Sequence, residues 1–200
     1  MLEFCAAKLR ISSSEARRNV LTRFGCSFIF NLMKAAFPGS FDPPTLGHID
    51  IIQRSAAIFD EITVVIAENH LKKYLFSVDE RLELVSALVK PWKNVSAAVC
   101  TGLVVDFLKA KAIPLLIRGV RGGDFSYELE LSMLNRALGE GVETVFLATS
   151  PEYLGVRSSA IKELASFGAD VSAMVPPAVS EALLAKFAKN EAPPPNNGKK

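Results

Sequence analysis

The segment Pro38-Gly39-Ser40-Phe41-Asp42-Pro43-Pro44-Thr45-Leu46-Gly47-His48 gathers residue types suited to holding an anion. Gly39 lets the backbone turn closely, and the Asp42-Pro43-Pro44 stretch stiffens the loop. Thr45 suits a helix N-cap, which puts Gly47 and His48 in the first turn. The free amides and positive dipole end of such a start attract phosphate. His48 there can donate a hydrogen bond to a phosphate oxygen even when neutral. A lone histidine more often satisfies a loop, but the neighbours of His48 favour the phosphate.

Three further segments concentrate unusual polar residues. They are residues 68–76 with Lys72 and Lys73, residues 118–124 opening on Arg118, and residues 149–159, where Ser158 and Ser159 open a helix. Singly, each has a plain structural reading. Lys72 and Lys73 suit a solvated pair, Arg118 suits an ion pair with Glu128, and Ser158 suits an ordinary cap.

The elements that must position these segments follow an alternating β/α pattern from Lys34 onward. Residues 34–37, 62–67, 95–99, 114–117 and 144–148 read as strands, mostly unbroken apolar runs that suit a sheet covered on both faces. Ile49, Ile52, Ala56 and Phe59 repeat at helical spacing, as do Val78, Leu82 and Val85 behind a capping box of Ser77 and Glu80. Further helices are expected after Gly102, from near Asp124 with Phe125, Leu129 and Met133 on one face, and from Ser158 to before Gly168. A last one, after Pro176 and Pro177, carries Val179, Leu183 and Phe187. The expectation is an α/β, Rossmann-like fold with a five-stranded parallel sheet flanked by helices. Right-handed crossovers bring the carboxyl ends of such strands to one edge, where ligands bind at the switch in strand order. All four polar segments leave strands at that edge.

Bulk properties narrow the classes. The formal charge of +2 is uneven: residues 1–32 carry five basic and two acidic residues, and residues 33–188 carry 15 basic and 18 acidic ones. That balance disfavours nucleic-acid binding by the domain. Cys5, Cys26 and Cys100 fit neither a disulfide framework nor a zinc site, and a reducing cytoplasm is the expected setting. Cys100 reads as a small core residue. No run approaches the ~20 apolar residues of a membrane helix. Neither G-x-x-x-x-G-K-S/T nor G-x-G-x-x-G occurs, which argues against a P-loop or dinucleotide-cofactor protein. Residues 33–188 are expected to form the domain and residues 189–200 a disordered tail. Residues 1–32 read as a dispensable extension, since Met33 looks like a natural start; their Arg- and Ser-rich composition also suits a transit-like peptide.

Thr45-Leu46-Gly47-His48 resembles the T/H-x-G-H signature of the nucleotidyltransferase superfamily, preceded by its G-S/T-F-D-P loop as Gly39 to Pro43. A second block, Ile117-Arg118-Gly119-Val120-Arg121 with Asp124-Phe125-x-Tyr127-Glu128 and Met133-x-Asn135-Arg136, resembles the phosphopantetheine adenylyltransferase family in particular. The likeness runs from about Met33 to Phe187. It implies transfer of AMP from ATP to 4'-phosphopantetheine, giving dephospho-coenzyme A and pyrophosphate without a covalent intermediate. By matching position, His48, Lys72 and Arg118 would be catalytic, His48 stabilising the pentavalent phosphate and the two cations meeting the acceptor's phosphate. Ser40 would touch both substrates, and Val104 would line the pantetheine arm. ATP would meet Phe41, Gly119, Val120, Arg121, Glu128, Tyr153, Leu154, Gly155, Val156, Arg157, Ser158 and Ser159. His70 has no matching role. Arg157 departs from the family, which usually shows a hydroxyl-rich run there; the residue would add a cation for the triphosphate or point to solvent. The resemblance also implies magnesium arriving with ATP, a homohexamer and feedback by coenzyme A. The rivals are an adenylyltransferase acting on nicotinamide mononucleotide, against which the block 118–128 argues, and a catalytically silent nucleotide-binding module.

Overall fold

The computed structural model describes residues 32–139 and 141–190. The extension and tail expected at 1–32 and 189–200 lie almost wholly outside those residues. Five strands, β1 (Lys34–Gly39), β2 (Glu61–Ala67), β3 (Val95–Cys100), β4 (Leu115–Val120) and β5 (Glu143–Ala148), form one sheet in the order β3-β2-β1-β4-β5. Every pair is parallel. The chain winds outward from β1 to β3, then returns past β1 to build β4 and β5. The switch between β1 and β4 opens a crevice at their carboxyl ends.

Helices α1 (Leu46–Ile58), α2 (Val78–Val89), α3 (Val104–Ala110), α4 (Phe125–Gly139), α5 (Ser158–Ser166) and α6 (Pro177–Asn190) make the crossovers and close the chain. The caps follow the residue types. Thr45 is the N-cap of α1, and Ser77 caps α2 in a reciprocal box with Glu80. The core has three parts: Phe37, Ile52, Val64 and Val85 on one face of the sheet, Val65, Leu108 and Leu116 on the other, and Ile161, Val175, Val179 and Leu183 joining α5 to α6. Cys100 is buried, as expected of a small core residue.

One expectation is corrected. β4 runs to Val120, three residues beyond the expected end, because it keeps pairing with β5 as far as Val120 opposite Ala148. Arg118, Gly119 and Val120 therefore sit on a strand and not in the loop after it. Gly119 has no room for a side chain there, since a Cβ would fall 3.0 Å from Ile51 Cγ1 of α1. On α4, the face that carries Phe125, Leu129 and Met133 is open, with these residues 45%, 37% and 61% exposed. Glu128 and Gly139 are the buried positions of this helix.

Ile161 is fully buried in the cluster that anchors α5. Ile161→Ala is expected to cost about 2–5 kcal/mol of unfolding free energy, read from the shift of a urea denaturation midpoint. A loss under about 1 kcal/mol would show that this cluster relaxes around the hole.

Candidate active site

The crevice at the β1/β4 switch is a cavity of about 650 Å³ whose wall includes Ser40, His48, Lys72, Val104, Arg118 and Arg121. Glu128, Gly119, Tyr153, Val156, Arg157, Ser158 and Ser159 also line it. Residues proposed from separate loops thus face one space. Phe41, Val120, Leu154 and Gly155 do not line that wall.

The start of α1 sets the chemistry of His48. Thr45 Oγ1 accepts from the His48 backbone N–H at 3.3 Å, while the Thr45 backbone N–H donates to His48 Nδ1 at 3.0 Å. An imidazole nitrogen that accepts from an amide carries no proton, so the neutral ring holds its proton on Nε2. Desolvation, then the nearby positive charges of Arg121 and Arg118, lower the His48 pKa from 6.5 to about 4. The side chain is therefore a neutral N–H donor at physiological pH and a poor base.

Phe41 stands behind this ring. It is 1% exposed, and its centroid lies 4.9 Å from that of His48. Its φ of 48° is a strained setting for a side-chain-bearing residue. The neighbouring Gly39 makes room, because a Cβ there would lie 3.1 Å from Phe41 Cε2. Phe41 thus braces the imidazole from the core side.

Arg118 projects from β4 and is fixed at its head. Its Nε and Nη2 donate to the two carboxylate oxygens of Glu128 at 2.6 and 2.8 Å, and Nη1 donates to the Pro38 carbonyl at 3.0 Å. The structural pairing of Arg118 with Glu128 thus exists and still leaves the guanidinium on the cavity wall with N–H groups to spare. Arg121 donates through Nε to Asp124 Oδ2 at 2.8 Å, and Arg157 Nη2 lies 3.7 Å from the other oxygen of that carboxylate. Lys72 is exposed at the rim, in a turn closed by its backbone N–H donating to the Asn69 carbonyl. His70 and Lys73 are exposed and do not line the cavity.

The loop after β5 is tied down from α1. Arg54 Nη1 donates to the Ala148 carbonyl at 2.7 Å, and Ser150 Oγ donates to Asp50 Oδ2 at 2.9 Å. Ser158, the first residue of α5, donates from its hydroxyl to the Pro43 carbonyl at 2.9 Å. Two helix N-termini, those of α1 and α5, consequently open on one cavity with four serines, an imidazole and several cations. Sequence reasoning did not single out Asn69, Tyr74, Ser132 or Thr149, which also line the cavity. Residues 69 and 74 follow β2 and residue 149 follows β5, so the strand-end rule offered a signal for those three; Ser132 lies in mid-helix and gave none.

Such a fold and such a cavity define a nucleotidyl-transferring protein, and the chain matches the cytidylyltransferase-like family model over residues 36–164. It is 46% identical over 157 residues to the phosphopantetheine adenylyltransferase of Dictyoglomus thermophilum, covering 78% of this chain and 96% of that protein. With that of Thermotoga neapolitana the identity is 47% over 156 residues, covering 78% and 97%. The chain belongs to the phosphopantetheine adenylyltransferase family. Among solved structures, a provisionally assigned nicotinate-nucleotide adenylyltransferase from Vibrio parahaemolyticus superposes with a TM-score of 0.60 at 22% identity, over 79% of this chain and 95% of that one. That likeness shows the shared fold.

The lowered pKa of His48 has a sign. The unfolded chain takes up the proton near 6.5 and the folded one near 4. The resulting stabilisation is complete above about pH 6.5 and is lost as pH falls towards 4. An NMR titration of the imidazole in the ligand-free protein is expected to show the Nε2–H tautomer and a midpoint near 4. A midpoint at 6.5, or a proton on Nδ1, would overturn this account of the site.

Proposed function

We propose that this protein transfers the adenylyl group of ATP to 4'-phosphopantetheine, yielding dephospho-coenzyme A and pyrophosphate. The observation that carries the reading is the convergence of His48 Nε2–H, Lys72 and Arg118 on one cavity beside two helix N-termini. The acceptor's phosphate oxygen attacks the α-phosphorus in line. The bond from that phosphorus to the β-bridging oxygen breaks, and pyrophosphate leaves with the electron pair. Little proton transfer is needed, since the attacking oxygen is already anionic, so positioning and charge neutralisation supply the acceleration. Lys72 and Arg118 would draw the acceptor phosphate against its repulsion by ATP. His48 would donate to an oxygen on the α-phosphorus as negative charge builds there. Ser40 would meet both substrates, and Val104 would line the pantetheine arm.

On the nucleotide side, Gly119 to Arg121, Glu128 and the stretch from Tyr153 to Ser159 would hold ATP, the first turn of α5 and the guanidinium of Arg157 facing the triphosphate. The assignments for Phe41, Val120, Leu154 and Gly155 would act through backbone groups or packing. Magnesium would accompany ATP and neutralise part of the triphosphate charge. Among the described residues no three His, Cys, Asp or Glu side chains gather to hold an ion, and the carboxylate on the cavity wall, that of Glu128, is paired with Arg118. Triphosphate oxygens and water would therefore be its ligands. Coenzyme A would compete for the slot along Val104 because it carries the same arm as the product.

The open apolar face of α4 supports self-association. Leu129, Met133, Leu134 and Leu138 are 37%, 61%, 59% and 56% exposed on that helix, and a second copy would cover them. A homohexamer built on this face is the assembly we propose. A cytoplasmic setting agrees with the free, buried Cys100, and among the described residues no helix is long and apolar enough to cross a membrane.

Purified protein given magnesium and ATP is expected to release pyrophosphate with phosphopantetheine and not with nicotinamide mononucleotide; the reverse preference would sink the reading. His48→Ala should lower kcat by roughly 10²–10³ with little change in either KM, because the lost bond strengthens at the transition state. A raised KM at unchanged kcat would refute that role. Arg157→Ser should weaken ATP about tenfold, and an unchanged affinity would leave Arg157 facing solvent.

A further inference from the structure

Asp42, the acid of the first loop, is 3% exposed, and its carboxylate is a junction of three segments. Oδ1 accepts from the backbone N–H of Leu75 at 3.1 Å and of Phe76 at 2.9 Å. Oδ2 accepts from the Leu75 N–H at 3.0 Å and from the Lys162 ammonium at 2.6 Å. Each segment carries residues of the cavity wall. Ser40 lies two residues before Asp42, Lys72 and Tyr74 lie just before Leu75, and Ser158 and Ser159 form the first turn of the helix that holds Lys162. Asp42, Leu75, Phe76 and Lys162 themselves do not line the cavity.

A buried carboxylate is costly without charge-assisted partners, so these bonds form and fail together. The turn bearing Lys72 has few other anchors. Asn69 N–H donates to the Tyr74 hydroxyl at 2.7 Å, Asn69 Oδ1 accepts from Leu71 N–H at 2.9 Å, and the Tyr74 ring lies 4.0 Å from the Arg81 guanidinium carbon. These contacts shape the turn, and Asp42 pins its far end against α5.

We propose that Asp42 is a positioning residue that fixes Lys72, on the acceptor side, relative to α5, on the nucleotide side, with Lys162 as the cation that holds its carboxylate in place. The proposal rests on the adenylyl-transfer reading for its two sides. A lysine of the nucleotide-side helix thereby governs affinity for the acceptor.

Lys162→Met removes the cation and leaves the cavity wall intact. It is expected to raise the KM for phosphopantetheine roughly tenfold. In a Lys72→Ala background the same change should add less than about twofold, because the route through Lys72 is already cut. Asp42→Asn, which places an amide where an acceptor oxygen stood, should behave likewise; if it does not fold, Lys162→Met alone decides. Losses that multiply independently in the double variant would reduce Asp42 and Lys162 to a general structural role and overturn the proposal. Amide hydrogen exchange gives a readout free of turnover: Lys162→Met should speed exchange at Leu75 and Phe76 about tenfold, and unchanged protection also overturns it. Wild-type protein that releases no pyrophosphate with phosphopantetheine would instead defeat the functional reading, and the exchange arm would still judge the role of Asp42.

Discussion

The amide N–H of Thr45 precedes a helix and has no carbonyl of that helix to meet; it donates to His48 Nδ1 instead. This bond fixes three things at once. It closes the first turn of α1, it sets the tautomer of the imidazole, and it leaves Nε2–H as the group free to act. Glu or Gln usually supplies the reciprocal side chain of a capping box. With histidine in that place, the residue that completes the cap is also the donor in the cavity. Phe41 and Gly39 serve the same arrangement from behind, one by filling space beneath the ring and the other by vacating space for Phe41.

The cavity's cations raise a different physical problem, because Arg118, Arg121 and Arg157 would repel one another without an anion between them. Two carboxylates answer it. Glu128 grips Arg118 through two bonds, and Asp124 stands between Arg121 and Arg157. The two Asp124 pairs, partly exposed, contribute little to stability, and the more buried Arg118–Glu128 pair mainly offsets the cost of desolvating its own charges. Their effect is geometric: each guanidinium is held where a phosphate would meet it, and part of the ordering cost is met before a substrate arrives. The same cations depress the His48 pKa, so that the donor and the phosphate-binding charges are coupled in one electrostatic field.

Local chemistry was legible in the sequence. The apolar runs marked all five strands, Thr45 and Ser77 marked two helix starts, and the strand-end rule gathered His48, Lys72 and Arg118 before any coordinates. What escaped depended on partners far along the chain. The end of β4 was set by pairing with β5, not by the residues 118–120 themselves. The apolar stripe of α4 was legible but its exposure was not, because periodicity reports amphipathicity and not what covers it. Arg81 is fully buried on the inner face of α2, where its position one turn before Val85 was the sole hint. Asp42 read as a loop stiffener; its bonds to residues 75, 76 and 162 span the domain and have no signature at short range.

Fold and acceptor are separable questions here. A protein 22% identical shares the fold, so the fold cannot choose between acceptor molecules. Discrimination has to come from the wall that differs between relatives. Under the proposed reading the acceptor would meet the turn bearing Lys72, Val104 at the start of α3, and Tyr127, Leu131 and Asn135 along α4, all of which line the cavity. None of these belongs to the T-x-G-H start or to the first turn of α5, which under the same reading would meet the nucleotide phosphates. α4 would serve both sides, since it also carries Glu128, the residue proposed to meet ATP. α4 presents Asn135 to the cavity and leaves Met133 and Leu134 open. A partner copy packed on that open face would press on both proposed walls through α4, so assembly and substrate affinity should be linked.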